Sequence, residues 1–200
     1  MMLEDAADEG PGLGARIAAR VHGLRRDAGL SLDVLARRSG VSRSMISLVE
    51  RGAASPTAVV LERLATALGV PLASLFDDPA PAAGPVARAA DRPVWRDPHS
   101  GYERRNVSPP GVRSPVRVVD VSFPPGARVA YETGPREPVV HQQVWVLAGA
   151  VEVTLGETTH ALGEGDCLAF VLDEPVAFAN VGDVAARYAV VLATDPGGMR

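Results

Sequence analysis

Arg43, Ser44, Ser47 and Glu50 recur at the spacing that gathers side chains on one face of a helix. A solvated helix face usually carries long charged residues. This one carries a single Arg and three small hydroxyls near its start, Ser42, Ser44 and Ser47. Short polar residues let a helix come close to a partner, and a guanidinium can make two parallel hydrogen bonds to a guanine edge. The chemistry implied is hydrogen-bonded reading of base edges. Spacing alone also leaves open a helical hairpin in an all-α core with an incidental polar face.

The elements that must position these residues lie in residues 31–52, SLDVLARRSGVSRSMISLVERG. Ser31 suits a helix N-cap, because its hydroxyl can accept from an orphan backbone N–H of the first turn. Leu32, Leu35 and Ala36 then form one apolar stripe. Gly40 stands where a left-handed C-cap is wanted. Val41 is expected as a buried elbow, and Ser42 caps a second helix. Met45, Ile46 and Val49 face inward, and Gly52 stops the helix. Two short helices joined in this way make a helix-turn-helix, whose second helix enters the major groove with its N-terminal residues on base edges.

Residues 17–76 resemble the small five-helix DNA-binding domain of the lambda/434 repressor type, the XRE family. The resemblance is carried by LRRDAGLSLDVLARRSGVSRSMISLVERG and by SPTAVVLERLATALGVPLASLF. It implies base contacts from Arg43, Ser44, Ser47 and Leu48, and phosphate contacts near Ser31, Ser42 and Arg51. Glu50 and Arg51 fall in the family's Glu-Arg-Gly end, where Glu50 is expected to bond back into the fold.

Charge agrees with that expectation. The 200-residue chain has a formal net charge of −4, yet residues 11–76 hold nine Arg against Asp27, Asp33, Glu50 and Glu62. The segment is basic, as phosphate contact requires, and the remainder is acidic. All basic residues are Arg, which fits a GC-rich codon bias. The one cysteine, Cys167, rules out an internal disulfide or a Cys-rich zinc site. It is expected as a small buried residue in a strand. The start, MMLEDAADEGPG, lacks the basic and apolar regions of a signal peptide. No apolar run approaches the length of a membrane span, so a cytoplasmic location is expected.

Along the chain, Leu13 to Ala28 reads as a first helix with Ile17, Val21 and Leu24 on one stripe. Ser55-Pro56 is expected to open a fourth helix, with Pro at its first position. Val60, Leu61, Leu64, Ala65 and Leu68 form its buried stripe. Pro71 to Phe76 reads as a short fifth helix. The expected division is a helical domain over 12–76, a Pro/Ala-rich linker over 77–92 and an all-β domain over 93–195. In the last part the apolar period is two and Gly turns recur, as in a sandwich or barrel.

That part resembles a cupin, a double-stranded β-helix or jelly roll, through VWVLAGAVEVTLGETTHALGEGDCLAF and FANVGD. Many cupins hold a divalent metal through two His and a Glu in one motif and a third His in another, a donor set suited to transition metals. Here the Glu slot is Gln142, the third His slot is Val176, and the first two fall near 135–138, where there is no His. His141 neighbours the Glu slot and should point to the other strand face. The expectation is therefore no metal, no cofactor and no catalytic set. The pocket residues expected to face inward are Gln142, Val144, Phe170, Val176 and Phe178, a lining suited to a small organic ligand or to a filled core.

The resemblance implies a DNA-binding transcriptional regulator reading a pseudopalindromic operator as a homodimer, with a metal-free barrel for dimerisation and small-molecule sensing. Trp145, opposite Val144 on its strand, is a candidate interface residue. Two alternatives stand beside it. One is a cupin metalloenzyme, since an epoxidase of phosphonate antibiotic biosynthesis joins a helix-turn-helix to an iron cupin. The other is a regulator whose barrel binds only a protein partner.

Overall fold

Apolar residues at three- and four-residue intervals close the N-terminal third into four α-helices in the computed structural model, which describes residues 12–77, 84–112, 114–135 and 139–194. They are α1 (Leu13–Asp27), α2 (Leu32–Ser39), α3 (Arg43–Glu50) and α4 (Ala58–Ala67). Ile17 and Val21 of α1 meet Leu35, Ile46, Val49, Leu61 and Leu64 in a core with almost no solvent contact. Burial of that stripe, more than helix propensity, holds eight-residue helices such as α2 and α3 together.

The caps are those the residue types demand. The Ser31 hydroxyl accepts from Val34 N (3.2 Å) and that of Ser42 from Met45 N (3.2 Å). Gly40 ends α2 at φ 65°, where a side chain would be strained. Two expectations are corrected. The fifth helix is a five-residue 3₁₀ turn, Leu72–Phe76, so the domain has four α-helices. A segment that short, entered through Pro71, has room for i→i+3 bonds such as Ser74 N to Pro71 O. The fourth helix begins not at Pro56 but after Thr57, whose hydroxyl accepts from Val60 N.

The C-terminal part is a two-sheet antiparallel jelly roll. Its strands are β1 (Trp95–Arg96), β2 (Glu103–Asn106), β3 (Val116–Phe123), β4 (Arg128–Tyr131), β5 (Val140–Ala148), β6 (Val151–Leu155), β7 (Thr158–Leu162), β8 (Cys167–Val171), β9 (Val176–Ala179) and β10 (Ala186–Thr194). One sheet has the order β1-β2-β3-β10-β5-β8 and the other β4-β9-β6-β7. The pleat sets the two faces. Along β5, Val140, Gln142, Val144 and Val146 are buried, while His141, Gln143 and Trp145 face out. Gly149 turns β5 into β6 at φ 72°, and a Cβ there would sit 2.9 Å from Ala185 O. Cys167 departs from expectation: it lies in a strand but is exposed. It pairs with Trp145 across the edge strand β8 and shares its outward face.

The two domains are docked. Asp97, buried in the turn between β1 and β2, accepts from Ala58 N of α4 through Oδ1 (2.8 Å). Its Oδ2 accepts from Ser100 N (2.7 Å) and Ser100 Oγ (2.6 Å). A barrel carboxylate thus satisfies the positive end of a helix in the other domain. Asn106 Nδ2 donates to Ala73 O (3.2 Å), Arg117 pairs with Asp77 (2.6 Å) and Arg63 with Glu132 (2.9 Å). Phe76 packs edge-on to Trp95, with ring centroids 5.4 Å apart. Of the expected linker, 78–83 lies outside the described residues, and Ala89–Asp91 forms a short 3₁₀ turn.

Replacing Asp97 by Ala should strand the Ala58 N–H and leave Ser100 without its acceptor. Loss of hydrogen bonds to a buried charge should cost about 2–3 kcal/mol. Thermal unfolding of Asp97→Ala against wild type measures it, and an unchanged midpoint would show that the docking does not depend on this carboxylate.

Candidate nucleic-acid interface

Buried positions at 46 and 49 turn α3 so that its opposite side is open to solvent. Arg43, Ser44, Ser47, Leu48 and Arg51 meet there, with Leu32 of α2, around one shallow groove. All but Leu32 are residues expected from the sequence to touch DNA. Ser31 and Ser42 are exposed at the N-termini of α2 and α3. Helix N-termini of this kind carry backbone N–H groups suited to anions.

The groove is partly ordered in advance. Ser42 and Ser44 hydroxyls lie 3.1 Å apart, and Arg51 donates to Ser47 Oγ (2.7 Å). Arg43 Nε lies 3.2 Å from Asp33 Oδ1, with both side chains largely exposed. An exposed pair of this kind is weak and salt-screened, so the guanidinium is easily released to another acceptor. Asp33 is the residue that sequence reasoning missed. Its position in the first turn of α2 gave no signal of reach toward Arg43.

Glu50 supports the groove from behind. Arg25 of α1 donates to it twice, Nε to Oε1 (2.6 Å) and Nη2 to Oε2 (2.7 Å), and His22 Nδ1 lies 2.9 Å from Oε2. Arg25 also donates to Leu30 O (2.9 Å), so one guanidinium ties α1, the α1–α2 turn and the end of α3. Burial alone would raise the Glu50 pKa. The bonds from Arg25 and His22 outweigh it, and the carboxyl titrates below its ordinary range. The bond to Glu50 raises Arg25 in turn.

The barrel contains a second feature, a cavity of ≈ 80 Å³. Of the expected pocket residues, Gln142, Val176 and Phe178 line it. Val144 is fully buried and Phe170 half-buried, and neither lines the cavity. Sequence reasoning missed most of the polar lining, Tyr102, Arg104, Tyr131 and Tyr188. Arg104 sits in the polar run Glu103–Asn106, which shows no apolar period to mark its inward face. The Tyr102 and Tyr131 hydroxyls are 3.1 Å apart. Burial, above all, pushes the phenols of Tyr131 and Tyr188 well up, so they stay neutral.

A metal does not fit the cupin donor positions. Gln142 is neutral, Val176 is an alkyl group, and slots 136–138 lie outside the described residues but contain no His. Among the described residues, no three of His, Cys, Asp and Glu come together as a metal site. Among them, too, no helix is long and apolar enough to cross a membrane.

Residues 16–75 match the helix-turn-helix domain family. The N-terminal part of the chain is therefore similar to helix-turn-helix domains. It is 25% identical over 165 residues to the HTH-type transcriptional regulator SutR of Escherichia coli K12, covering 82% of this chain and 87% of that one. It is 47% identical over 47 residues to the uncharacterized HTH-type transcriptional regulator y4dJ of Sinorhizobium fredii NGR234, which spans 24% of this chain and 61% of the relative. Among solved structures, an HTH_3 family transcriptional regulator from Vibrio cholerae superposes with a TM-score of 0.72 at 24% identity, over 92% of this chain and 97% of that one. The two-domain architecture of this chain is therefore a shared fold, from the first helix through the barrel.

The Arg25–Glu50 pair makes a pH prediction. A carboxyl whose folded pKa is lowered contributes stability that is present above its unfolded pKa and is lost as pH falls through the folded value. The stability of the helical domain should therefore decline as pH falls from the ordinary carboxylate range through the lower folded value. Glu50→Gln leaves Arg25 buried without a counter-charge, and should cost about 3 kcal/mol near neutrality. It should also flatten the acid limb of a plot of unfolding midpoint against pH. An acid limb identical in the two proteins would show that another group governs it.

Proposed function

We propose that this regulator binds a two-fold operator as a homodimer, with α3 in the major groove and the barrel as the effector-binding and pairing domain. The observation that carries the reading is the gathering of Arg43, Ser44, Ser47, Leu48 and Arg51 on one open face, flanked by the free helix N-termini at Ser31 and Ser42. Arg43 reads a guanine, the serines permit close approach, and Leu48 offers an apolar surface to a thymine methyl. The basic balance of residues 11–76 supplies the phosphate attraction.

The regulator reading is favoured over an enzyme by the donor positions, Gln142 and Val176, which cannot assemble two His and a carboxylate. The relatives reported above are named as transcriptional regulators. The barrel cavity, walled by aromatic and aliphatic side chains with a few convergent polar groups, is the effector site in this reading. It takes in Gln142, Val176 and Phe178, while Val144 and Phe170 shape the strand packing around it. This favours small-molecule sensing over a barrel that binds only a protein partner. Work on DNA and a small effector places the protein in the cytoplasm.

Pairing is assigned to the outer face of the six-stranded sheet. Trp145 is about half exposed there, opposite Ala189 on β10 and Cys167 on β8. One domain reads too few base pairs to select a site in a genome, and two copies multiply the discrimination.

Selection of genomic fragments by the full-length protein gives the operator, with half-sites about one helical turn apart or a multiple of it. On that operator Arg43→Ala should lose about 1–3 kcal/mol and its base preference at one position. Asp33→Asn should act in the opposite direction, tightening binding by about 0.2–1 kcal/mol, with the gain vanishing at high salt. Fluorescence anisotropy measures both. Equal affinity and base preference in wild type and Arg43→Ala would remove α3 as the reading element.

Trp145→Glu should convert a dimer to a monomer at micromolar concentration, read by sedimentation velocity. If both proteins sediment as dimers, the pairing surface lies elsewhere.

A further inference from the structure

Arg104 is 7% exposed and its Nε has no hydrogen-bond partner. Among the described residues no carboxylate forms an ion pair with it. Its guanidinium carbon lies 4.3 Å from the centroid of the Phe76 ring, a cation–π contact that offsets only part of the cost of burying a charge. It is also a wall of the barrel cavity. A buried cation without a counter-ion, beside a cavity, is the arrangement that an anionic ligand completes.

The rest of the lining narrows the ligand. Neutral phenols of Tyr102 and Tyr131 and the amide of Gln142 can donate or accept, while Val119, Val176 and Leu192 are apolar. Glu62 also lines the cavity, but it borders the outer cleft behind α4 as well and accepts from Thr66 Oγ1 (3.2 Å). The volume of ≈ 80 Å³ is about half that of a cavity known to hold benzene. It suits a chain of a few heavy atoms. One side of the cavity is not barrel at all: Pro71, Leu72 and Ala73 of the helical domain close it.

We propose that this cavity binds a short-chain monocarboxylate, its carboxylate on Arg104 and its hydrocarbon part between the sheets and the Pro71–Ala73 lid. The proposal rests on the reading of the barrel as an effector domain and gives that effector a chemical class. The occupant touches the DNA-reading domain directly through the lid, and Arg104 links it to Phe76.

Calorimetric titration of the full-length protein with the sodium salts of straight-chain acids from acetate to hexanoate tests it, with the matching primary amides as neutral controls. The expected result is one saturable site per chain, a preference for one length within the series, and at least tenfold weaker binding of the amide. Arg104→Gln should lose at least tenfold in acid affinity, and Arg104→Lys should recover part of it. The comparison of acid with amide uses the wild-type protein, so it decides the matter even if Arg104→Gln does not fold. No saturable binding by any acid, equal binding of acid and amide, or unchanged binding by folded Arg104→Gln would overturn the proposal. Each titration is run without DNA, so its failure is distinct from failure of the genomic selection, which would overturn the regulator reading instead.

Discussion

The position of one domain on the other rests on the carboxylate of Asp97. A helix that begins with an unsatisfied N–H must find an acceptor, and α4 finds one in a turn of the barrel. Asp97 is also held by Ser100, so the acceptor is positioned by the barrel turn as well as by the helix. The consequence runs outward in both directions. With α4 set, the 3₁₀ turn after it presents Phe76 to Trp95, and rings follow one another inward from Trp95 to Tyr102, Phe123 and Tyr188. In the other direction α4 packs on α2, and α2 on α3. The α3 groove and the barrel interior are thus joined through a few side chains in contact.

Within the helical domain the same economy appears at Glu50. It stands on α3 yet turns away from the groove, because Arg25 and His22 draw it inward. The face that remains is nearly free of negative charge. Asp33 is the exception, and its contact with Arg43 holds that guanidinium at the groove in the absence of a partner. A weak exposed pair leaves that guanidinium free to exchange acceptors, as a buried one would not.

Legibility in the sequence followed the strength of local signals. Ser31, Gly40 and Ser42 announced the helix-turn-helix, because capping chemistry is confined to a few residue types. The period-two runs of β3, β5 and β10 were plain for a similar reason. The polar strand Glu103–Asn106 was not, since two of its four residues are Arg and its inward face depends on a cavity formed by distant strands. Val144 was expected in that cavity by alternation from Gln142. The alternation holds, since Val144 is buried, but the cavity takes Gln142 and not Val144. Cys167 was read as buried from its residue type, whereas β8 is an edge strand with an outward-facing Cys. The contacts between domains left no local trace, being made by residues far apart in the chain.

The Pro71–Ala73 lid has a consequence for how such a protein can be recombined. A chain of two folds joined by a Pro/Ala-rich stretch invites division there, as if reader and barrel were interchangeable parts. Here a cut at that stretch would uncover Phe76, remove the aromatic face beneath Arg104 and open the barrel mouth to water. A graft from a relative would have to bring with it the residues that seat on the mouth. The unit that can be inherited or exchanged intact is then the barrel together with the last turn of the domain before it.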